Sequence, residues 1–92
     1  MPKYILRLYV TDHTPRSIEA IQNLRKICRE ELSGEYELEI IDVLLEHEKA
    51  HRDKVIATPT LIRELPDSLA RILGDLSNKE EVLMALDIHK NH

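Results

Sequence analysis

His47-Glu48-Lys49-Ala50-His51 is the stretch of this chain that matches a catalytic pattern letter for letter. In H-E-x-x-H, two histidines one helical turn apart bind zinc and the glutamate activates a metal-bound water. A working site also needs a third protein ligand, a cleft and a rigid supporting helix. Glu46, Arg52 and Asp53 surround the pentapeptide with further charge. Glu64 and His89, the candidates for a third ligand, stand at no spacing that recommends them. The string is read as a solvated charged segment, and no metal is assigned.

Thiol chemistry is the next possibility. A strand followed by a short loop and a helix opening at Pro15 is how a thioredoxin-like domain begins. Its enzymes carry C-x-x-C there, because a helix N-terminus lowers a thiol pKa. Here the stretch is Asp12-His13-Thr14-Pro15, without sulfur. Cys28, the single cysteine, falls on the apolar stripe of the helix and is read as a core residue. No G-x-S-x-G elbow supports a hydrolase, and two glycines leave no phosphate-cradling loop. His13 reads as a solvated loop residue. Asp42 ends a strand, where α/β sheets often present functional groups, but a turn or capping role is the plainer reading. No catalytic residue and no cofactor are assigned.

The elements that must position these residues begin with a strand from Tyr4 to Val10. It places Tyr4, Leu6, Leu8 and Val10 on one face and Ile5, Arg7 and Tyr9 on the other. Thr14 is a good N-cap and Pro15 a good first helical residue. The helix runs to about Leu32 with an apolar stripe of Ile18, Ile21, Leu24, Ile27, Cys28 and Leu32. Ser33-Gly34 stops it. Tyr36 to Val43 is a second strand, and the βαβ order predicts a parallel pair with a right-handed crossover. Leu44 to Lys54 reads as a short helix or a loop. Thr58-Pro59 feeds a short strand, Pro66-Asp67-Ser68 punctuates, and Leu69 to Leu73 fits strand or helix. Ser77, with Glu80 three residues on, predicts a capping box for the last helix. That helix has an apolar face of Val82, Leu83 and Leu86, and His89 to His92 reads as a frayed tail.

Composition narrows the function classes. Ninety-two residues suit one domain spanning 1–92. A formal net charge of -4 argues against nucleic acid, whose binders need basic surfaces. No apolar stretch approaches the roughly 20 residues of a membrane span, and the N-terminus lacks a signal-peptide layout. With a lone cysteine these features predict a cytoplasmic protein.

Several strings together resemble the KaiB family of bacterial clock and stress systems. They are Tyr4-Ile-Leu-Arg-Leu-Tyr-Val10, Thr14-Pro15-x-Ser17, Ile41-Asp-Val-Leu44, Ala57-Thr-Pro-Thr-Leu61 and Ile72-Leu-Gly-Asp-Leu-Ser-Asn78, in family order along nearly the whole chain. The resemblance implies a non-catalytic protein that binds the ATPase ring of KaiC. Such a protein competes with a thioredoxin-like sensor kinase domain and, in cyanobacteria, captures KaiA. It also implies two folds sharing the N-terminal βαβ half. One is thioredoxin-like, βαβαββα, and binds partners; the other is a ground state, βαββααβ, that assembles as a tetramer. A homo-oligomer, tetramer or dimer, is expected where the ground state dominates.

By position, the resemblance makes Lys54 a basic contact to KaiC, and Asp42 and Arg71 are taken with it as partner-binding candidates. Gly74 and Asp75 match the pair that tunes the balance between folds, and Pro59 joins them as a candidate cis proline. The chain also departs from the family. Leu65-Pro66-Asp67-Ser68 stands where cyanobacterial members carry a run of prolines, and Thr11-Asp12-His13 lacks their loop glycine. Glu37 and Glu39 occupy a strand face that is small and basic in clock members. Inverted charge disfavours a KaiA-type partner. The alternative is a thioredoxin-like adaptor in stress signalling that binds a sensor kinase or another protein without KaiC.

Overall fold

In the computed structural model, which describes residues 3–65 and 69–87, strand β1 (Tyr4–Val10) is an inner strand of a four-stranded sheet. Helix α1 (Pro15–Glu31) links it to β2 (Tyr36–Asp42), which pairs with it in parallel from Tyr4↔Tyr36 to Val10↔Asp42. Helix α2 (His47–Arg52) follows, then β3 (Thr60–Leu65), antiparallel to β1 on its other side. Strand β4 (Ala70–Leu73) pairs antiparallel with β3, and helix α3 (Lys79–Ala85) closes the order βαβαββα. The sheet order is β2-β1-β3-β4, so β2 and β4 are its edges. This is the thioredoxin-like alternative of the two expected arrangements.

The first face of β1 carries the main core. Leu6, Leu8 and Val10 pack with Ala20, Leu24, Ile27 and Cys28 of α1 and with Val82, Leu83 and Leu86 at α3. Thr14 caps α1 as its type predicts, its hydroxyl accepting from the Ser17 N–H at 3.3 Å. The buried stripe is turned from the expected one. Ser17 and Ala20 are buried, whereas Ile18 is 43 % exposed. Small residues let the first turns of α1 sit close to the loop after β1, where the Ser17 hydroxyl accepts from the Thr11 N–H. Apolarity alone does not report that closeness.

Three readings sharpen in the second half. Leu44 to Lys54 contains a helix, and Leu69 to Leu73 contributes a strand from Ala70. The N-cap lies one residue later than the expected capping box. The Asp75 carboxylate accepts from the Ser77 N–H, so Ser77 belongs to the preceding turn. Asn78 is the N-cap, accepting from the Glu81 N–H at 3.1 Å. The stops at Pro66 to Ser68 and the tail from His89 to His92 lie outside the described residues. No helix among the described residues is long and apolar enough to cross a membrane.

Leu24 is fully buried, so Leu24→Ala is expected to cost about 2–5 kcal/mol through lost transfer energy and a residual cavity. Ile18→Ala should cost under about 1 kcal/mol, because Ile18 is exposed. Chemical denaturation of the two variants checks the rotated stripe.

Candidate functional site

The second face of β1 presents Ile5, Arg7 and Tyr9, two of them polar in a strand flanked on both sides. Tyr9 is fully buried, packed with Ile41 of β2, Ile62 of β3 and Ala50 of α2. Its hydroxyl donates to the Lys49 carbonyl at 3.2 Å and to the Asp53 carboxylate. Arg7 Nε donates to Asp53 Oδ2 at 3.0 Å, and Arg7 Nη1 pairs with Glu64 at 3.3 Å. One carboxylate at the end of α2 therefore satisfies both polar groups of β1 and holds α2 on the sheet.

The local electrostatics follow. Burial pushes the Asp53 carboxyl up, but the hydrogen bonds from Tyr9 and Arg7 and the Arg7 charge outweigh it, leaving the pKa below the ordinary value. Burial, then the hydrogen bond to Asp53, pushes the Tyr9 phenol to about 12, so it stays a neutral donor. Burial opposes the Arg7 charge, but the hydrogen bonds and charges of Asp53 and Glu64 together outweigh it and the guanidinium is held protonated.

Lys54 follows this clasp at φ +55°. Its N–H bonds to the His51 carbonyl and the Val55 N–H to the Ala50 carbonyl, at 3.1 and 2.9 Å. This is a Schellman ending with lysine in the left-handed position usually given to glycine, so no glycine announced the helix stop. The side chain of Lys54 is exposed. Arg71 of β4 donates from Nη1 to the Lys54 carbonyl at 3.2 Å and from Nη2 to the Asp53 carbonyl at 2.5 Å. The structure thus brings Lys54 and Arg71 together. Asp42 stands apart, at the end of the opposite edge strand. Its carboxylate accepts from the Leu44 N–H at 2.8 Å and its carbonyl from Leu45 and Glu46, which organises the turn into α2.

Pro59 and Gly74 also meet, and Asp75 follows in the same loop. The Gly74 N–H donates to the Pro59 carbonyl at 3.0 Å, and the Thr58–Pro59 bond is cis. Gly74 has φ +114°, a conformation that a side chain strains even though a Cβ there would meet nothing closer than Arg16 Nη2 at 3.5 Å. The Asp75 carbonyl accepts from Asn23 Nδ2 at 2.9 Å, tying the loop to α1.

The chemical candidates are dispersed. His47, Glu48 and His51 lie exposed on α2, whose Ala50 faces the core. Glu64 is on β3 beside Arg7, and His89 lies outside the described residues. No group of three or more His, Cys, Asp or Glu side chains suited to a metal occurs among the described residues. Cys28 is buried, and burial raises its thiol to about 11, so it stays protonated at neutral pH. At the start of α1, where a thioredoxin enzyme has its thiols, the Thr11 and Thr58 hydroxyls bond each other at 2.6 Å.

Sequence reasoning passes over Arg7, Tyr9 and Asp53 as a unit. The available signal was a charge at Arg7 within a strand apolar on both faces. Its partner lies 46 residues away in the chain, beyond any local pattern.

The family model described as "KaiB domain" matches residues 7–88. The chain is 50 % identical over 88 residues to "Circadian clock protein KaiB3" of Synechocystis sp., covering 96 % of this chain and 86 % of that protein. It is 48 % identical over 85 residues to "Circadian clock oscillator protein KaiB" of Thermostichus vulcanus, covering 92 % and 79 %. In structure it is similar to the N-terminal domain of Synechococcus elongatus SasA, with TM-score 0.75, 22 % identity and coverage of 100 % and 90 %. It is similar also to mitochondrial thioredoxin 3 of Saccharomyces cerevisiae, with TM-score 0.76, 15 % identity and coverage of 95 % and 79 %. The two structural likenesses establish the thioredoxin-like fold.

The Asp53 clasp has a pH signature. A carboxylate whose folded pKa lies below its unfolded value, about 3.9, stabilises the fold fully above that value. It loses the contribution as pH falls through the folded pKa. Asp53→Asn should cost about 1.5–3 kcal/mol at pH 7, the range for hydrogen bonds to charged groups. The gap between variant and parent should close below pH 4 in thermal melts.

Proposed function

This chain belongs to the KaiB family, and from that premise we propose that it is a non-catalytic regulator that binds a KaiC-type ATPase. The observation that carries the reading is near-half identity to named circadian clock proteins over almost the whole chain. The βαβαββα order supports it, because the family resemblance assigns partner binding to that arrangement. Residues 1–92 act as one KaiB-like unit in the cytosol, with no cofactor. Lys54 and Arg71 contact the ATPase from the turn that ends α2, and Asp42 contributes from the turn that begins it. Pro59, Gly74 and Asp75 set the balance between this arrangement and the ground state.

A second reading is favoured by Glu37 and Glu39, which are exposed on the edge strand β2. On that reading the protein is a stress-signalling adaptor for a sensor kinase or another protein, and it does not engage KaiC. A KaiA-type partner fits neither carboxylate.

Lys54→Gly separates binding from folding. Glycine takes φ +55° without the steric cost that a side chain pays there. The variant should melt at or slightly above the parent temperature. In size-exclusion chromatography with the cognate KaiC-type ATPase and ATP or ADP, the parent should co-elute and Lys54→Gly should bind at least about tenfold more weakly, equal to about 1.4 kcal/mol. Absence of a parent complex in every nucleotide state favours the adaptor. Light scattering at micromolar concentration should give a monomer for the arrangement described above, and a tetramer would report the ground state.

A further inference from the structure

We propose that the uncovered end of the sheet's second face docks a basic helical segment of a partner protein, in a groove floored by Ile5 and railed by Glu37 and Glu64. This proposal goes beyond ATPase binding and does not depend on it.

The groove exists because α2 is short. Six helical residues span only about 9 Å. They cover Tyr9, Ile41 and Ile62 and stop before Ile5. What remains is a cavity of about 440 Å³ lined by Ile5, Arg7, Glu37, Glu39 and Glu64, with Leu6 and Leu38. The register shows why its walls are acidic. Ile5 pairs with Glu37 on the β2 side and with Leu65 on the β3 side, and the register shift between Ile5 and Leu6 leaves Glu64 unpaired in the ladder and lining the groove. With strands about 4.8 Å apart, the two rails stand roughly 10 Å apart across an isoleucine floor. Because β2 is an edge strand, nothing in the sheet closes the groove on that side.

Charge selects the occupant. Arg7 is shared between Glu64 and Asp53, and Lys49 between Glu39 and Glu46. The groove itself is lined by three carboxylates, Glu37, Glu39 and Glu64, and one cation, Arg7. Glu37 makes no ion pair among the described residues. A second copy of this chain, with formal net charge -4, would bring like charge to like. A helix with lysine or arginine at positions i and i+7 spans about 10.5 Å, which matches the rails, and an apolar residue at i+4 meets Ile5. Such a helix would extend the layer that α2 begins. Complementary charge would set the choice of partner and the encounter rate.

The test uses the full chain alone, so its outcome is independent of KaiC. The probe is a fluorescein-labelled alanine-based helix with Lys at i and i+7 and Leu at i+4. The control is a scrambled peptide of the same composition. Fluorescence anisotropy at low salt should show the patterned helix binding at least about tenfold more tightly than the scramble, and more weakly as salt rises. Glu37→Lys and Glu64→Lys should each reduce binding at least fivefold, while Glu19→Lys on α1 leaves it unchanged. Amide shifts on titration should centre on Ile5, Glu37 and Glu64. Glu37→Gln guards against misfolding by Glu64→Lys, which also removes an ion pair, and should weaken binding by a smaller factor. Equal binding of the two peptides, indifference to Glu37→Lys, or shifts centred elsewhere would overturn the proposal. Self-association abolished by Glu37→Lys would overturn it in favour of a second copy.

Discussion

The inner strand β1 has to be satisfied on both faces at once. Its first face, Leu6, Leu8 and Val10, is apolar and needs only a hydrophobic layer, which α1 and α3 provide. Its second face carries Arg7 and Tyr9, and burying their polar groups unpaired would cost more than the packing returns. The chain resolves this by placing Asp53 at the end of α2, where one carboxylate meets both Arg7 and Tyr9, with Glu64 and the Lys49 carbonyl as their second partners. Helix α2, the turn at Lys54 and the Arg71 contacts all follow from that requirement, because Asp53 must be held where Arg7 and Tyr9 point.

This constraint links packing to the surface proposed to bind the ATPase. Lys54 adopts its left-handed backbone because the helix carrying Asp53 must end there, and Arg71 anchors the same turn through two carbonyls. A basic side chain displayed from a rigid turn loses less entropy on binding than one on a loose loop. The same short helix leaves the rest of the second face open, so the acidic groove and the basic turn have one origin. They adjoin at Arg7, which lines the groove and bonds Asp53 at the turn.

Much of the N-terminal half was legible because its signals are local. The alternation of β1, the Thr14-Pro15 start of α1 and the Ser33-Gly34 stop depend on neighbours within a few residues. The second half was less legible for an identifiable reason. Helix α2 ends on lysine without the glycine that marks most such ends, and β4 has four residues, too few for periodicity to separate strand from helix. The last cap shifted from Ser77 to Asn78 because Asp75 occupies the Ser77 N–H, a choice made by a turn and invisible to the capping pattern.

By itself, the amino-acid sequence determined the βαβ opening, the family resemblance and the lack of a thiol pair at the helix start. These depend on residue types and short spacings. Tertiary structure alone decided which of two arrangements the second half takes, that Arg7, Tyr9 and Asp53 form one unit, and that Glu37 and Glu64 face each other across Ile5. Those pairings join residues tens of positions apart, and no local preference specifies the register that brings them together.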